Sequence, residues 1–347
     1  MRKWWNRIRY LRRNQIRKIK SRGEDRLTIM DSGKSLPFSQ NVIAIVWDFD
    51  FTLTPKNMQE PLFIEYGVDE QTFWKEVNAL PEYYKKAGIR VSEETAYLWH
   101  IISYVKAGTF PDLTNQKLRE LGGKIPFFPG LPEFFLEIQQ KLNREPYLEY
   151  DLKVEHYIVS SGLAEMIKGS KIAPYISGVW ASEFIEVPAG PGEDFTQQPK
   201  SGLISQVGYI IDHTTKTRAL FEINKGINKV EGIRVNDSIP ENARRVPFKN
   251  MIYVGDGPSD IPCFSVVRKH GGLTYAVYPR GDEYKYQQVI ELLESDRIDA
   301  YGPADYREDS ETVIWLKNKV IGIANRIVEE KKSALYSQIK SGPKHTS

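Results

Sequence analysis

Apolar positions in this chain fall into short unbroken runs, separated by longer stretches in which apolar and polar residues alternate with helical spacing. Val42–Trp47 is apolar and rich in β-branched residues, with no Gly or Pro, and predicts a strand buried on both faces. Tyr157–Val159, Met251–Val254 and Tyr275–Tyr278 predict three more short strands. Between them, Glu133–Leu142, a stretch opening at Thr214, and Tyr286–Leu293 read as helices, and Thr312 to about Lys332 as a terminal one. Phe184–Val187 and Gln206–Ile211, separated by a Gly/Pro/Gln-rich stretch, suggest a hairpin with a long tip. Asp299–Asp305 reads as a loop. Strands alternating with helices build a doubly wound parallel α/β sheet, because their crossovers are right-handed.

One segment breaks this alternation. Residues 56–125 read as helical and carry Phe63, Tyr66, Phe73, Trp74, Tyr83, Tyr84, Tyr97, Trp99 and Tyr104. Gly67, Leu80-Pro81, Gly88 and the stretch from Gly108 to Pro111 cut it into about four helices. We expect a small helical domain inserted between two strands of the main sheet, most of its aromatics forming its own core and one or two facing the strand ends. The expected division is therefore 41–55 plus 126–335 as α/β core, 56–125 as the inserted domain, 1–40 as extension and linker, and 336–347 as a frayed tail.

Composition is that of an ordinary globular protein, with 41% hydrophobic and 27% charged residues. One cysteine, Cys263, excludes an internal disulfide framework and fits a reducing compartment. No apolar run reaches the roughly 18 residues that span a bilayer, and no apolar h-region follows the basic N-terminus, so the expected location is cytoplasmic. The net charge of +3 hides an asymmetry: residues 1–23 hold ten Lys or Arg and no acid. Trp4, Ile8 and Leu11 recur with helical spacing there, so the segment suits an anionic membrane surface or a nucleic-acid backbone, or packs as a solvated extension on the acidic body.

The candidate chemistry sits where the apolar runs end. Val42–Trp47 runs into Asp48 and Asp50, followed by Thr52 and Thr54. Side chains two apart on an extended segment point the same way, so both carboxylates face one site. A lone D-x-D is equally a strand followed by a polar turn. Tyr157–Val159 ends in Ser160-Ser161-Gly162, either an anion site of hydroxyls and free N–H groups or a plain turn. Lys216 lies in a first helical turn, against the macrodipole unless an anion is near; a solvated surface lysine is the alternative. Met251–Val254 enters Gly255-Asp256-Gly257, with Asp260 four residues beyond Asp256. In a parallel sheet these strand ends converge. Three carboxylates, a hydroxyl pair and a lysine read most economically as Mg²⁺-assisted phosphoryl transfer, with Asp48 and Asp256 as metal ligands. Lys216 and Ser160 would offset the phosphate charge, one aspartate would attack phosphorus, and the other would act as acid with a raised pKa.

Asp48-Phe-Asp50-Phe-Thr52, Ser160-Ser161-Gly162, Lys216 and Gly255-Asp256-Gly-Pro-Ser-Asp260 resemble, in order, the four motifs of the haloacid dehalogenase (HAD) superfamily, over roughly residues 41–330. The resemblance implies Asp48 as nucleophile and Asp50 as general acid/base. It implies Mg²⁺ held by Asp48, the Asp50 backbone carbonyl and Asp256, with Thr52 and Asp260 behind them. Ser160, Ser161 and Lys216 would hold the phosphate, and Lys225 is the alternative third-motif lysine. An aspartate two residues after the nucleophile marks the phosphatases of the superfamily, and the helical insert resembles the C1 cap of phosphoserine-phosphatase-like members. Two departures bear on the substrate: Ser161 stands where those enzymes usually have a glycine, and Tyr97 where they place a carboxylate-binding arginine. The expected activity is hydrolysis of a small phosphorylated metabolite. The alternatives are a lipid or nucleic-acid phosphatase tethered by the basic N-terminus, and a non-catalytic HAD-fold binding module.

Overall fold

The computed structural model describes residues 38–340. The basic segment 1–23, most of the linker and the last seven residues lie outside them, and with them the expected membrane or nucleic-acid contact. β1 (Val42–Trp47) is the central strand of a seven-stranded sheet. The others are β2 (Lys153–Leu163), β3 (Ile176–Ile185), β4 (Gln206–Tyr209), β5 (Met251–Gly255), β6 (Leu273–Tyr278) and β7 (Ala300–Pro303). Their order is β4-β3-β2-β1-β5-β6-β7, every neighbouring pair parallel except the antiparallel β3–β4 hairpin.

The period of two in β1 divides the core. Ile43, Ile45 and Trp47 point to one face of the sheet, Val42, Ala44 and Val46 to the other, and all are buried. On the Trp47 face, α5 (Glu133–Gln140) contributes Phe134 and Phe135 and the long terminal helix α10 (Glu311–Lys340) contributes Val313, Leu316 and Val320. Trp47 meets both phenylalanines edge-on, at 6.1 and 5.8 Å between ring centroids, and donates its indole N–H to His156 Nδ1 at 3.2 Å. The opposite face is covered by α7 (Thr215–Lys225), α8 (Ile261–Lys269) and α9 (Glu283–Glu294), through Leu220, Ile223, Phe264, Val267, Val289 and Leu292. α6 (Ala164–Gly169) follows β2 directly.

Between β1 and β2 the chain forms α1 (Glu60–Tyr66), α2 (Glu70–Lys85), α3 (Ala96–Lys106) and α4 (Asn115–Gly122). Their aromatics pack mainly on one another: Phe63 on Phe73 at 4.7 Å, Tyr66 on Phe110 at 4.9 Å, and Trp74 on Tyr97 at 5.8 Å. Among the described residues no helix is long and apolar enough to cross a membrane.

Four details differ from the sequence reading. Pro81 does not end a helix but lies inside α2, where it forgoes the one N–H bond to the preceding turn and the helix runs on to Lys85. The presumed loop 299–305 contains β7, an edge strand whose Gly302 and Pro303 are tolerated because only one side must pair with β6. β2 and β3 are longer than their apolar centres, and β2 slips register between Val159 and Leu163. The terminal helix continues past Lys332 to Lys340, into the segment read as a frayed tail.

Candidate active site

Register alone brings the motif residues to one end of the sheet. Trp47 is level with Ile158 of β2 and with Val254 of β5, so Asp48, Ser160 and Asp256 each lie one or two residues beyond one line across three adjacent parallel strands. The Asp48 N–H still bonds the Val254 carbonyl at 2.9 Å, after which the two chains part. Such a gap at the carboxyl ends of neighbouring strands is where parallel sheets bind ligands.

Asp48 is 5% exposed, and its Oδ1 lies 2.9 Å from Lys216 Nζ. Lys216 itself is 1% exposed and donates to Asp260 Oδ1 at 2.8 Å. The same Oδ1 accepts from the Tyr253 hydroxyl at 2.8 Å, and Asp260 Oδ2 accepts the Asp256 N–H at 3.2 Å. Asp260 is thus occupied by three donors and ties the lysine to the loop. Gly255 makes this possible: a Cβ there would stand 2.2 Å from Asp260 Oδ2, so only glycine lets the carboxylate reach under the turn. The lysine's place against the macrodipole is explained by the two carboxylates that flank it. Burial alone would depress its pKa, but Asp260 and Asp48 hold it well above the ordinary lysine value.

Asp50 follows, and Phe51 takes a left-handed φ of 57°, bending the chain so that Leu53 N–H returns to the Phe49 carbonyl at 2.8 Å. Asp50 Oδ1 accepts the Met58 N–H at 2.8 Å. Burial raises its pKa to about 7, against the pull of that N–H and of Lys216 and with a push from Asp256. Asp48 is raised well above the usual carboxylate range, first by burial and then by Asp260 and Asp256, with Lys216 opposing. Asp256 is raised by burial and Asp260 against the pull of Lys285.

Ser160 is buried, and its Oγ accepts the Gly162 N–H at 3.0 Å in the bulge that ends β2, leaving its hydroxyl proton free to donate elsewhere. The Ser161 carbonyl accepts from Ser182 Oγ at 3.2 Å and from the hydroxyl of Tyr97, on α3 of the inserted helices, at 2.6 Å. Tyr97 thus fastens those helices to the bulged end of β2. Thr52 is buried with its hydroxyl unpartnered, while its carbonyl accepts from Tyr306 at 2.6 Å. Lys225 is elsewhere: its ammonium binds the carbonyls of Val235 and Asp237 at 2.5 and 2.7 Å.

Three residues here went unread in the sequence. Tyr253 looked like strand core, and its hydroxyl carried no signal. Met58 Sδ accepts the Leu163 N–H at 3.0 Å, and a Cβ on Gly162 would strike its methyl at 2.1 Å. Lys285, in the first turn of α9, puts its ammonium 2.8 Å from Asp256 Oδ2.

Asp48, Asp256 and Asp260 offer oxygens within 4.8 Å of one another, all buried. Were these three and Asp50 all ionised, the four carboxylates would outnumber the two ammonium groups, Lys216 and Lys285, by two charges. Without a cation the site holds protons instead, as the raised pKa values of Asp48, Asp50 and Asp256 indicate. A divalent cation with hard-oxygen preference fits that donor set, with Asp48 and Asp256 as its carboxylates and Asp260 already engaged. The two lysines separate by experiment. Lys216→Met leaves Asp48 and Asp260 buried without their cation, and a denaturant titration in EDTA should show a loss of about 3–5 kcal/mol. Lys225→Met removes two bonds to backbone carbonyls and none to these carboxylates, and should leave turnover unchanged in an activity assay with Mg²⁺, where Lys216→Met loses it.

Fold and site together define an α/β protein with a buried acidic centre at the carboxyl ends of its central parallel strands. No family model matches the chain. A protein of Borreliella burgdorferi, described as uncharacterized, is 39% identical over 287 residues, covering 81% of this chain and 97% of its own length. The two belong to one family. Among solved structures, a HAD-family hydrolase from Salmonella enterica serovar Typhi superposes with a TM-score of 0.44 at 15% identity, over 77% of this chain and 69% of its own. A phosphoserine phosphatase in a phospho-aspartyl intermediate analogue form superposes with 0.41 at 20% identity, over 75% and 93%.

Proposed function

We propose that this chain is a Mg²⁺-dependent phosphatase of HAD type, acting on a small phosphomonoester through an aspartyl-phosphate, in the cytoplasm. The observation that supports it is the set of three carboxylates with oxygens within 4.8 Å, two of them paired with one buried ammonium, beside a buried Asp50 whose pKa burial raises to about 7. When bound at Asp48 and Asp256, Mg²⁺ would supply the positive charge that keeps these carboxylates ionised and draws in a phosphoryl group.

The chain's own residues do the rest. Asp48 attacks phosphorus, and the bond to the leaving oxygen breaks as Asp50, whose pKa burial raises to about 7, hands that oxygen its proton. Asp50 then takes a proton from the water that attacks the aspartyl-phosphate, and inorganic phosphate leaves with Asp48 restored. Lys216 holds Asp48 in place and offsets phosphoryl charge, with the Ser160 hydroxyl as a further donor. Tyr97 supplies a hydroxyl rather than a cation where the inserted helices meet the end of β2, so a substrate carboxylate finds no guanidinium there. Phosphate release from a panel of phosphomonoesters, with Mg²⁺ or EDTA, tests the reading: Mg²⁺-dependent release from neutral alcohol or sugar phosphates is expected. No release from any ester by folded protein that binds Mg²⁺ would overturn it.

A further inference from the structure

Lys285 has no counterpart in the chemistry set out above, yet it sits on a carboxylate that the metal would need. Its Nζ is 2.8 Å from Asp256 Oδ2 and 5.5 Å above the centroid of the Phe51 ring. The capping carboxylate of Asp282 accepts the Lys285 N–H at 2.9 Å, which fixes its backbone in the first turn of α9. One turn further along that helix is Gln288, whose Oε1 is buried and has no partner. Both the Lys285 ammonium and this orphaned oxygen lie within 4 Å of the point where a Cβ on Gly257 would stand. The ammonium therefore has two acceptors within reach: a carboxylate that it now holds, and an amide oxygen left waiting.

A monovalent ammonium and a divalent cation on one carboxylate repel each other, whichever oxygen each uses, and in a site this enclosed the repulsion is poorly screened. We propose that Lys285 is a built-in counter-ion of Asp256 that competes with the divalent metal, pairing with the carboxylate in the metal-free protein and passing to Gln288 Oε1 when the cation binds. This rests on the metal reading of the site. It gives the pair a purpose that the catalytic steps do not: the metal-free chain keeps its acidic centre partly neutralised, at the cost of weaker metal binding.

The test is calorimetric titration of Mg²⁺ into the full-length protein without substrate, alongside melting curves in EDTA and in saturating Mg²⁺. Lys285→Met should bind Mg²⁺ about tenfold more tightly than wild type, as expected on removing a charge-assisted bond that the metal must break. Its melting temperature should fall in EDTA and recover in Mg²⁺, and Lys285→Arg should stay near wild type. A merely structural lysine would lower both melting curves alike. Equal or weaker Mg²⁺ binding by Lys285→Met, with wild type binding normally, overturns the proposal and leaves the metal reading standing. Absence of Mg²⁺ binding by wild type overturns both. Should Lys285→Met fail to fold, Gln288→Leu decides: loss of the second acceptor should weaken Mg²⁺ binding by about threefold, and unchanged affinity contradicts the transfer.

Discussion

Asp48→Asn should abolish phosphate release, by at least about 10⁴-fold, without unfolding the protein. An amide oxygen neither attacks phosphorus at a useful rate nor carries charge to a cation. Folding should survive, because Lys216 keeps Asp260 at 2.8 Å. Indeed Asp48 is a buried carboxylate repelled by Asp260 and Asp256, so its neutral isostere should leave melting in EDTA unchanged or raised. Activity lost with stability kept separates a reacting group from a structural one. A phosphate assay and a thermal melt on the same sample check both halves.

Asp50→Asn should have the second-largest effect, and a selective one. With an alkyl phosphomonoester the leaving alkoxide needs a proton, and removal of the acid should cost about 10²–10⁴-fold. With a nitrophenyl ester, whose leaving group departs as the anion, the first step should survive while breakdown of the aspartyl-phosphate slows for want of a base. A burst of nitrophenolate, about one per chain, should then precede slow turnover. The same group sets a pH signature. Its folded pKa of about 7 lies above the ordinary value of 3.8, so between those values the folded chain holds a proton that the unfolded chain has released. That contribution to stability falls as pH rises through the window. Denaturation in EDTA across it should show a shallower slope in Asp50→Asn than in wild type, the remainder coming from Asp48 and Asp256, which are raised in the same sense.

What the sequence made legible was what local chemistry dictates. Val42–Trp47 could only be a strand buried on both faces, and Asp48 and Asp50 at its tip could only meet the Gly255-Asp256-Gly257 turn once β5 lay beside it in parallel. The choice between Lys216 and Lys225 was open from spacing alone. Both ammonium groups are held by oxygens, one set carboxylates and the other backbone carbonyls, and only packing decides which. Lys285 was hidden for the same reason: it lies just ahead of the helix expected at Tyr286–Leu293, and its charge acquires meaning from a carboxylate 29 residues earlier. Pro81 and the Gly-Pro of β7 misled in the opposite sense. Both are real breaking signals, each muted by its position, one near a helix end and the other on a sheet edge.

The most direct test of the central claim is to quench Asp50→Asn protein during its burst with nitrophenyl phosphate and Mg²⁺, then map the modification by peptide mass spectrometry. The account expects one acid-stable, base-labile phosphoryl group on the peptide containing Asp48. A phosphoryl group on any other residue, or a full burst with no protein adduct, would contradict it.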